Sequence, residues 1–232
     1  MDITPDDLKQ VSVFEHASGD DLKLILRNSI PRRVEDGGFF FFQGDPAEFL
    51  YVLTSGMVKL LQSNPSGQQV NLRTIYPWQM FGALGAVRAE ASYPASAQAL
   101  GDSSALAIGS DFMHSMLETR PALAFDLMKL MTSYIQEMQA RYRELSTERV
   151  EQRIAHAVLR LASQTGRRTG DEPFEVELEF SRQDLAEMTG TTLYTVSRTL
   201  SEWDQMGIIQ AGRERIKIKN PHRLVEIAER FE

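Results

Sequence analysis

The chain has no cysteine among its 232 residues. Disulfides, thiolate zinc sites, cysteine-held iron–sulfur clusters and thiol redox switches are thereby excluded on chemical grounds. No apolar run approaches the roughly 20 residues needed to cross a bilayer, so no membrane partner is expected. The opening Met1-Asp2-Ile3-Thr4-Pro5-Asp6-Asp7 is acidic where a secretory signal is basic and then apolar, which points to a cytoplasmic location. Positive charge is also scarce. The 25 Lys and Arg against 32 Asp and Glu leave a net charge of -7, which argues against a nonspecific polycation but leaves room for a local basic surface. Histidine is limited to His16, His114, His156 and His222, and none falls between residues 34 and 108.

What is present suffices for two modest domains, each with its own core. Residues 5 to 30 read as helical, with Leu8, Val11, Phe14, Leu22, Ile25 and Leu26 on buried faces and a break at Ser18-Gly19-Asp20. From Val34 to Ile108 the pattern changes to short aromatic and β-branched runs: Phe39 to Phe42, Phe49 to Thr54, Met57 to Gln62 and Val70 to Tyr76. Turn signals separate them at Gln43-Gly44-Asp45-Pro46, Ser55-Gly56 and Asn64-Pro65-Ser66-Gly67, as in an antiparallel sandwich or barrel. After Arg120-Pro121 a long helix carries Leu127, Met131, Tyr134, Met138 and Leu145 at steps of four and three, with one interruption. Such a stripe either packs on its own β-domain or meets a second copy, and the homodimer is the reading adopted. A hinge is expected near Ser146-Thr147-Glu148. Beyond it, Val150, Ile154, Ala157, Val158 and Leu161 mark a new amphipathic helix, and Phe174, Val176 and Leu178 alternate with Glu175, Glu177 and Glu179 as in a strand. The expected division is residues 1–120, 121–147 and 148–232.

The functional motif lies in the last of these. Ser181-Arg182-Gln183-Asp184 has the form of a capping box, in which the serine oxygen accepts a free backbone amide and the acid bonds back. The helix it opens runs through Leu185, Ala186 and Met188 to Gly190, a residue able to take the left-handed backbone of a sharp turn. Thr192 then offers an N-cap to a second helix bearing Val196 and Leu200. A small residue at 186, a glycine at 190 and a valine at 196 are the requirements of a helix-turn-helix rather than of an ordinary helical hairpin. Gly207 to Lys219 reads as two short strands, a β-wing, whose Arg213, Arg215, Lys217 and Lys219 either follow phosphates or form a solvated face. On the second helix, Arg198 is the natural bidentate partner of guanine. Thr191, Thr192, Thr195 and Ser197 suit phosphates or base edges, Leu193 and Tyr194 suit thymine methyls, and Arg182 and Gln183 suit backbone phosphates.

Together these features resemble the CRP/FNR family of dimeric bacterial regulators. The resemblance spans nearly the whole chain through Gln43-Gly44-Asp45-Pro46, Tyr51-Val52-Leu53 with Ser55-Gly56, Phe81-Gly82-Ala83-Leu84-Gly85, Ala97-Gln98-Ala99, Arg153-Ile154-Ala155, Ser181 to Ala186, and Thr195-Val196-Ser197-Arg198. It implies an α+β fold: an N-terminal cyclic-nucleotide-binding-type β-roll, a long dimerisation helix and a C-terminal winged helix-turn-helix. It also implies a pseudo-palindromic double-stranded operator, RNA polymerase as a partner, and no enzymatic activity. An effector pocket would involve Gly82, Ala83, Leu84, Gly85, Tyr93, Pro94 and Met138.

Departures from the family pattern matter as much. Cyclic-AMP binders of the family carry a glutamate where this chain has Ala83, and an Arg-Ser pair where it has Tyr93-Pro94. A buried phosphate without an arginine would be poorly stabilised, so tight cyclic-AMP binding is not expected. Tyr194 also replaces the glutamate that many members place before Thr-Val-Ser-Arg. Thr191 to Trp203 is similar to the nitrogen-oxide-responsive branch (NnrR/DNR-like), often described as haem-based, and His16 would be the candidate axial ligand. Two other readings stand beside the effector-gated one. The first is a constitutive regulator whose pocket is filled by Trp78, Phe81 or Tyr93. The second is a cupin-like metal enzyme, which the lack of histidine in residues 34 to 108 disfavours.

Overall fold

The computed structural model describes residues 3–63, 69–88, 90–165, 167–168, 176–212 and 215–229, without the side chains at 141, 144–147, 164–165, 167–168 and 179. The expected turn at Asn64 to Gly67 and the inward Phe174 lie outside the described residues. The chain divides into two compact units, Met1–Glu137 and Met138–Glu232. Among the described residues, no helix is long and apolar enough to cross a membrane.

The first unit opens with two short 3-10 turns, Asp7–Gln10 and Ser12–Phe14, and helix α1 (Gly19–Arg27), whose Ser18 side chain caps it by accepting from Asp21 N. Six antiparallel strands follow: β1 (Ser29–Val34), β2 (Phe39–Phe41), β3 (Phe49–Ser63), β4 (Gln69–Ile75), β5 (Met80–Phe81) and β6 (Ser96–Gly109). Their order is β1-β6-β3-β4, with β2 also on β6 and β5 on β3. Helix α2 (Leu84–Val87) precedes β6, and α3 (Ser110–Thr119) and the part of α4 (Pro121–Thr147) up to Glu137 close the unit.

Strands β3 and β6 are buried on both faces because two cores share them. Leu50, Val52, Leu106 and Ile108 face a cluster built with the N-terminal turns, α1, α3 and the start of α4, including Leu8, Phe14, Leu22 and Leu123. Their neighbours Tyr51, Leu53, Ala105 and Ala107 face the opposite cluster, with Phe41, Ile75, Phe81 and Tyr93. This is the two-residue alternation of a strand used twice over.

Ser55-Gly56 does not break the sheet as the sequence suggests. β3 runs through it on β6 with register shifts between Leu53 and Ser55 and between Ser55 and Met57. The glycine is required there: its φ is 81°, and a Cβ would collide with Ser103 Oγ and stand 2.7 Å from Asp102 O. The turn chemistry is spent on a bulge.

The phase of the α4 stripe also needs correction. Leu127 is 5% exposed and belongs to the first unit's own core, together with Leu123. Tyr134 is turned to β4 and β5: its hydroxyl donates to Met80 O at 3.4 Å, and Arg73 Cζ lies 3.6 Å from its ring centre. The exposed apolar side chains are instead Phe125, Met128, Met131, Ile135, Met138 and Tyr142. From Met128 onward these recur at steps of three, four, three and four. Met131 and Met138 of the expected stripe remain in it, and the side chain of Leu145 lies outside the described residues.

In the second unit, α5 (Val150–Thr165), α6 (Arg182–Thr189), α7 (Leu193–Gln205) and α8 (Pro221–Ala228) surround one core. Beside them, β7 (Arg167–Arg168), β8 (Val176–Glu179), β9 (Ile209–Ala211) and β10 (Arg215–Ile218) form a sheet of order β7-β8-β10-β9. Ile154 and Val158 of α5, Leu185 of α6, Leu200 and Trp203 of α7, and Ile216 of β10 are buried.

Replacing Gly56 with alanine is expected to destabilise the first unit by at least about 2 kcal/mol, since strain at a positive φ and a steric clash add. A lowered urea midpoint with an unchanged slope checks this, and a midpoint within error of wild type contradicts it.

Candidate nucleic-acid interface and effector pocket

The capping box forms as its spacing requires. Ser181 Oγ accepts from Asp184 N at 3.0 Å, and Asp184 Oδ2 accepts from Ser181 N at 3.3 Å. Gly190 ends α6 with φ 60° and ψ 39°, and its N–H and that of Thr191 both reach Ala186 O. Thr192 caps α7 by accepting from Thr195 N at 3.2 Å. Two helix ends are thus satisfied within four residues, which fixes where α7 starts.

Helix α7 spends one face on the core and leaves the other free. Val196, Thr199, Leu200 and Trp203 are buried, while Tyr194, Arg198, Ser201 and Gln205 are exposed. At about 100° per residue the second set shares the face opposite the first. Tyr194 is 75% exposed and Leu193, on the flank of the same turn, 47%. The Arg198 guanidinium lies near Glu202, its Nε 3.7 Å from Oε1, too long for a hydrogen bond. Thr191, Thr195 and Ser197 are half-buried around this face, and the Thr192 and Thr195 hydroxyls lie 2.9 Å apart. At the start of α6, Arg182 is half-buried and Gln183 is exposed, its Nε2 donating to Glu187 Oε1 at 3.0 Å. In the wing, Arg215 is exposed and 3.7 Å from Glu177 Oε1, and Arg213 lies outside the described residues.

The sequence reading missed the side chains of α5 that hold this assembly. Arg153 Nε donates to Thr189 O at 3.1 Å and its Nη1 to Glu148 O at 2.9 Å. His156 Nδ1 lies 2.9 Å from Glu148 Oε2, and Trp203 Nε1 donates to Glu151 Oε1 at 3.1 Å. Partners as far apart in the chain as residues 151 and 203 carry no local signal.

Of the expected effector residues, Gly82 and Tyr93 meet within the roll. Tyr93 is buried and stacked on Phe41 with ring centres 3.6 Å apart, its hydroxyl donating to Phe49 O at 2.6 Å. Burial pushes the Tyr93 phenol far above its usual range, against the opposing effect of the Phe49 N–H, which donates to the phenol oxygen at 3.2 Å. A Cβ on Gly82 would stand 3.1 Å from the Phe41 ring and 3.2 Å from that of Tyr93. Tyr51 and Phe81 stack beside them at 5.1 Å. Phe81 and Tyr93 thus share one aromatic cluster, whereas Trp78 belongs to the other, against the N-terminal turns. Trp78 sits at φ 66°, a costly backbone for a bulky residue, held by its N–H to Leu53 O at 2.7 Å.

Ala83 packs on that same outer cluster, Leu84 is exposed, and a Cβ on Gly85 would run into Ala47 O. Pro94 is exposed and accepts from Gln62 Nε2 at 3.3 Å. Met138 is exposed in the second unit. Arg73 on β4 turns its guanidinium to α4, with Nε 3.8 Å from Glu137 Oε2 and Nη1 buried without a hydrogen-bond partner.

The histidines do not suit haem. His16 is largely exposed and lies with Nδ1 3.1 Å from Asp126 Oδ2, whose other oxygen meets Lys129, a charged setting. His114 meets Ala86 O and Glu118, His156 meets Glu148, and His222 is exposed beside Glu226. No group of three or more His, Asp and Glu able to hold a metal occurs among the described residues.

A double-cored roll followed by a capped, glycine-turned helix pair and a wing defines a transcription regulator of the winged helix-turn-helix class. The comparisons agree. Residues 31–120 match the family model for the cyclic nucleotide-binding domain, and residues 152–227 that for the Crp-like helix-turn-helix domain. Over 221 residues the chain is 28% identical to the cyclic AMP receptor protein of Thermus thermophilus, covering 95% of this chain and 98% of that one. It is 28% identical over 209 residues to the transcriptional activator protein anr of Pseudomonas aeruginosa, covering 90% and 84%. In fold it is similar to FixK2 from Bradyrhizobium japonicum, with a TM-score of 0.76 over 88% of this chain and 99% of that one at 20% identity. The chain belongs to the CRP/FNR family of transcription regulators.

Gly190→Val is expected to cost about 1–3 kcal/mol, because a β-branched residue is strained in the left-handed region. Thermal unfolding of the second unit should shift downward, and an unshifted transition would show that the turn is not under this constraint.

Proposed function

We propose that the chain is a homodimeric, sequence-specific DNA-binding regulator that reads a pseudo-palindromic operator with α7 and is gated by an effector other than cyclic AMP. The observation that carries the DNA reading is the outward face of α7. Tyr194, Arg198 and Ser201 face solvent because Val196, Leu200 and Trp203 use up the other side. Thr191, Thr192, Leu193, Thr195 and Ser197 surround that face, while Arg182, Gln183, Arg213 and Arg215 meet phosphates on either side of it. The division of labour follows the chain: residues 1–120 as the sensing roll with its N-terminal helices, 121–147 as dimerisation helix and hinge, and 148–232 as the DNA-binding part. The protein acts in the cytoplasm with RNA polymerase as a further partner.

The exposed Met128, Met131, Ile135, Met138 and Tyr142 support the dimer, since an apolar heptad stripe in water invites a second helix. Two observations bear on the effector. Phe41 and Tyr93 occupy the cradle at Gly82, and Ala83 and Tyr93-Pro94 offer no cation to a cyclic phosphate. Arg73 keeps a buried donor without an acceptor on the side of β4 that meets Tyr134, so an acceptor-bearing effector is better suited there. A constitutive regulator remains the second reading, favoured by the same aromatic filling. Operator affinity measured with and without small-molecule cell extract separates the two, because a gated protein binds DNA differently in its two states.

Arg198→Ala is expected to weaken operator binding by about ten-fold or more and relax specificity at one base pair per half-site. Unchanged specificity in a random-sequence selection contradicts this docking. Replacing single thymines of the selected operator with deoxyuridine should cost about four-fold at one position, the worth of one buried methyl, and Tyr194→Ala should abolish that difference. Ile135→Asp should leave a monomer in sedimentation experiments, and a persistent dimer would remove α4 as the interface.

A further inference from the structure

The junction between α4 and α5 is two residues long, Glu148 and Arg149, and α5 grips it twice. Arg153 Nη1 donates to the Glu148 carbonyl at 2.9 Å, and His156 Nδ1 lies 2.9 Å from the Glu148 carboxylate. The same guanidinium reaches the other way, with Nε donating to Thr189 O at 3.1 Å. Thr189 O is one of the last four carbonyls of α6, which have no acceptor role inside the helix, and it sits one residue before the left-handed Gly190. Half-buried, Arg153 spans the two carbonyls with its planar fork, a geometry that a lysine ammonium cannot reproduce.

We propose that Arg153 is a positioning residue that ties the turn of the helix-turn-helix to the α4–α5 junction, so that the junction and the DNA-reading helix keep a fixed relation. Arg153 does not itself read DNA. Its cation lies against a helix C-terminus, where positive charge is favoured, and removing it leaves two half-buried carbonyls without their donor. Strain at the junction therefore has a polar route to the Gly190 turn through one side chain, beside the packed core of α5 and α6. The inference rests on the DNA-binding reading only for its binding arm.

The test uses the full chain carrying Arg153→Met or Arg153→Lys, with hydrogen exchange read by mass spectrometry and binding to the selected operator and to an unrelated duplex. Arg153→Met should raise exchange by about ten-fold in the 148–150 and 190–192 segments together, and lower operator affinity by about ten-fold. Affinity for the unrelated duplex and its salt slope should not change, because no phosphate contact is lost. Arg153→Lys should restore protection in one of the two segments, and it keeps the test decisive if the methionine variant unfolds. Exchange raised in one segment only by Arg153→Met, or by Arg153→Lys in neither, would overturn the tie, as would an unchanged ratio of operator to unrelated binding. A wild-type chain that binds no duplex would refute the DNA-binding reading instead, leaving the exchange result to decide the tie.

Discussion

Helix α7 can present Tyr194 and Arg198 to a groove only because its other side is consumed by Val196, Leu200 and Trp203, all fully buried. That packing requires the α6–α7 turn to be tight, and the turn requires a residue free to adopt φ 60° at position 190. Ala186, nearly without exposed surface, accepts both backbone amides that close the turn. The rest of the second unit follows from holding this pair. Leu185 and Ile154 fill the space beneath it, Glu151 takes the Trp203 indole N–H, and Arg153 takes the carbonyl at the end of α6. The Gly190 and Thr191 N–H groups, the Thr195 N–H and the Thr189 carbonyl all find partners inside the protein, while Tyr194 and Arg198 at the tip face solvent.

In the roll, aromatic rings pack around Gly82. Strands β3 and β6 serve a core on each face, and one of these is paved by Phe41, Tyr51, Phe81 and Tyr93 in ring contact. Tyr93 is locked by its hydroxyl to the Phe49 carbonyl, and Gly82 brings the backbone within van der Waals reach of two rings. Gly82, Ala83, Tyr93 and Pro94 themselves carry no positive charge to offer a phosphate. Arg73 of β4 stands under α4, stacked on Tyr134 and 3.8 Å from Glu137.

What could be read in the chain was what is encoded locally. Ser181 and Asp184, Ala186, Gly190, Thr192 and Val196 lie within sixteen positions, and each imposes a backbone or contact requirement of its own, so the helix pair was legible before any coordinates. The roll was legible as alternating strands, but Ser55-Gly56 signals only a departure from a flat strand and does not distinguish a turn from a bulge. On α4 the periodicity was real and its phase was not recoverable. Apolar residues occur on both sides, at Leu123, Leu127 and Leu130 as well as at Met128, Met131 and Ile135. Which side faces the roll depends on contacts with residues such as Leu8 and Phe14, over a hundred positions earlier. The Arg153 contacts were out of reach for the same reason.

The central claim is that two copies of α7 enter successive turns of one face of duplex DNA. Hydroxyl-radical footprinting of the full chain on an operator obtained by selection tests it most directly. The account predicts two protected stretches about ten base pairs, or roughly 34 Å, apart and related by a dyad. A single protected stretch, or uniform protection without a dyad, would contradict it.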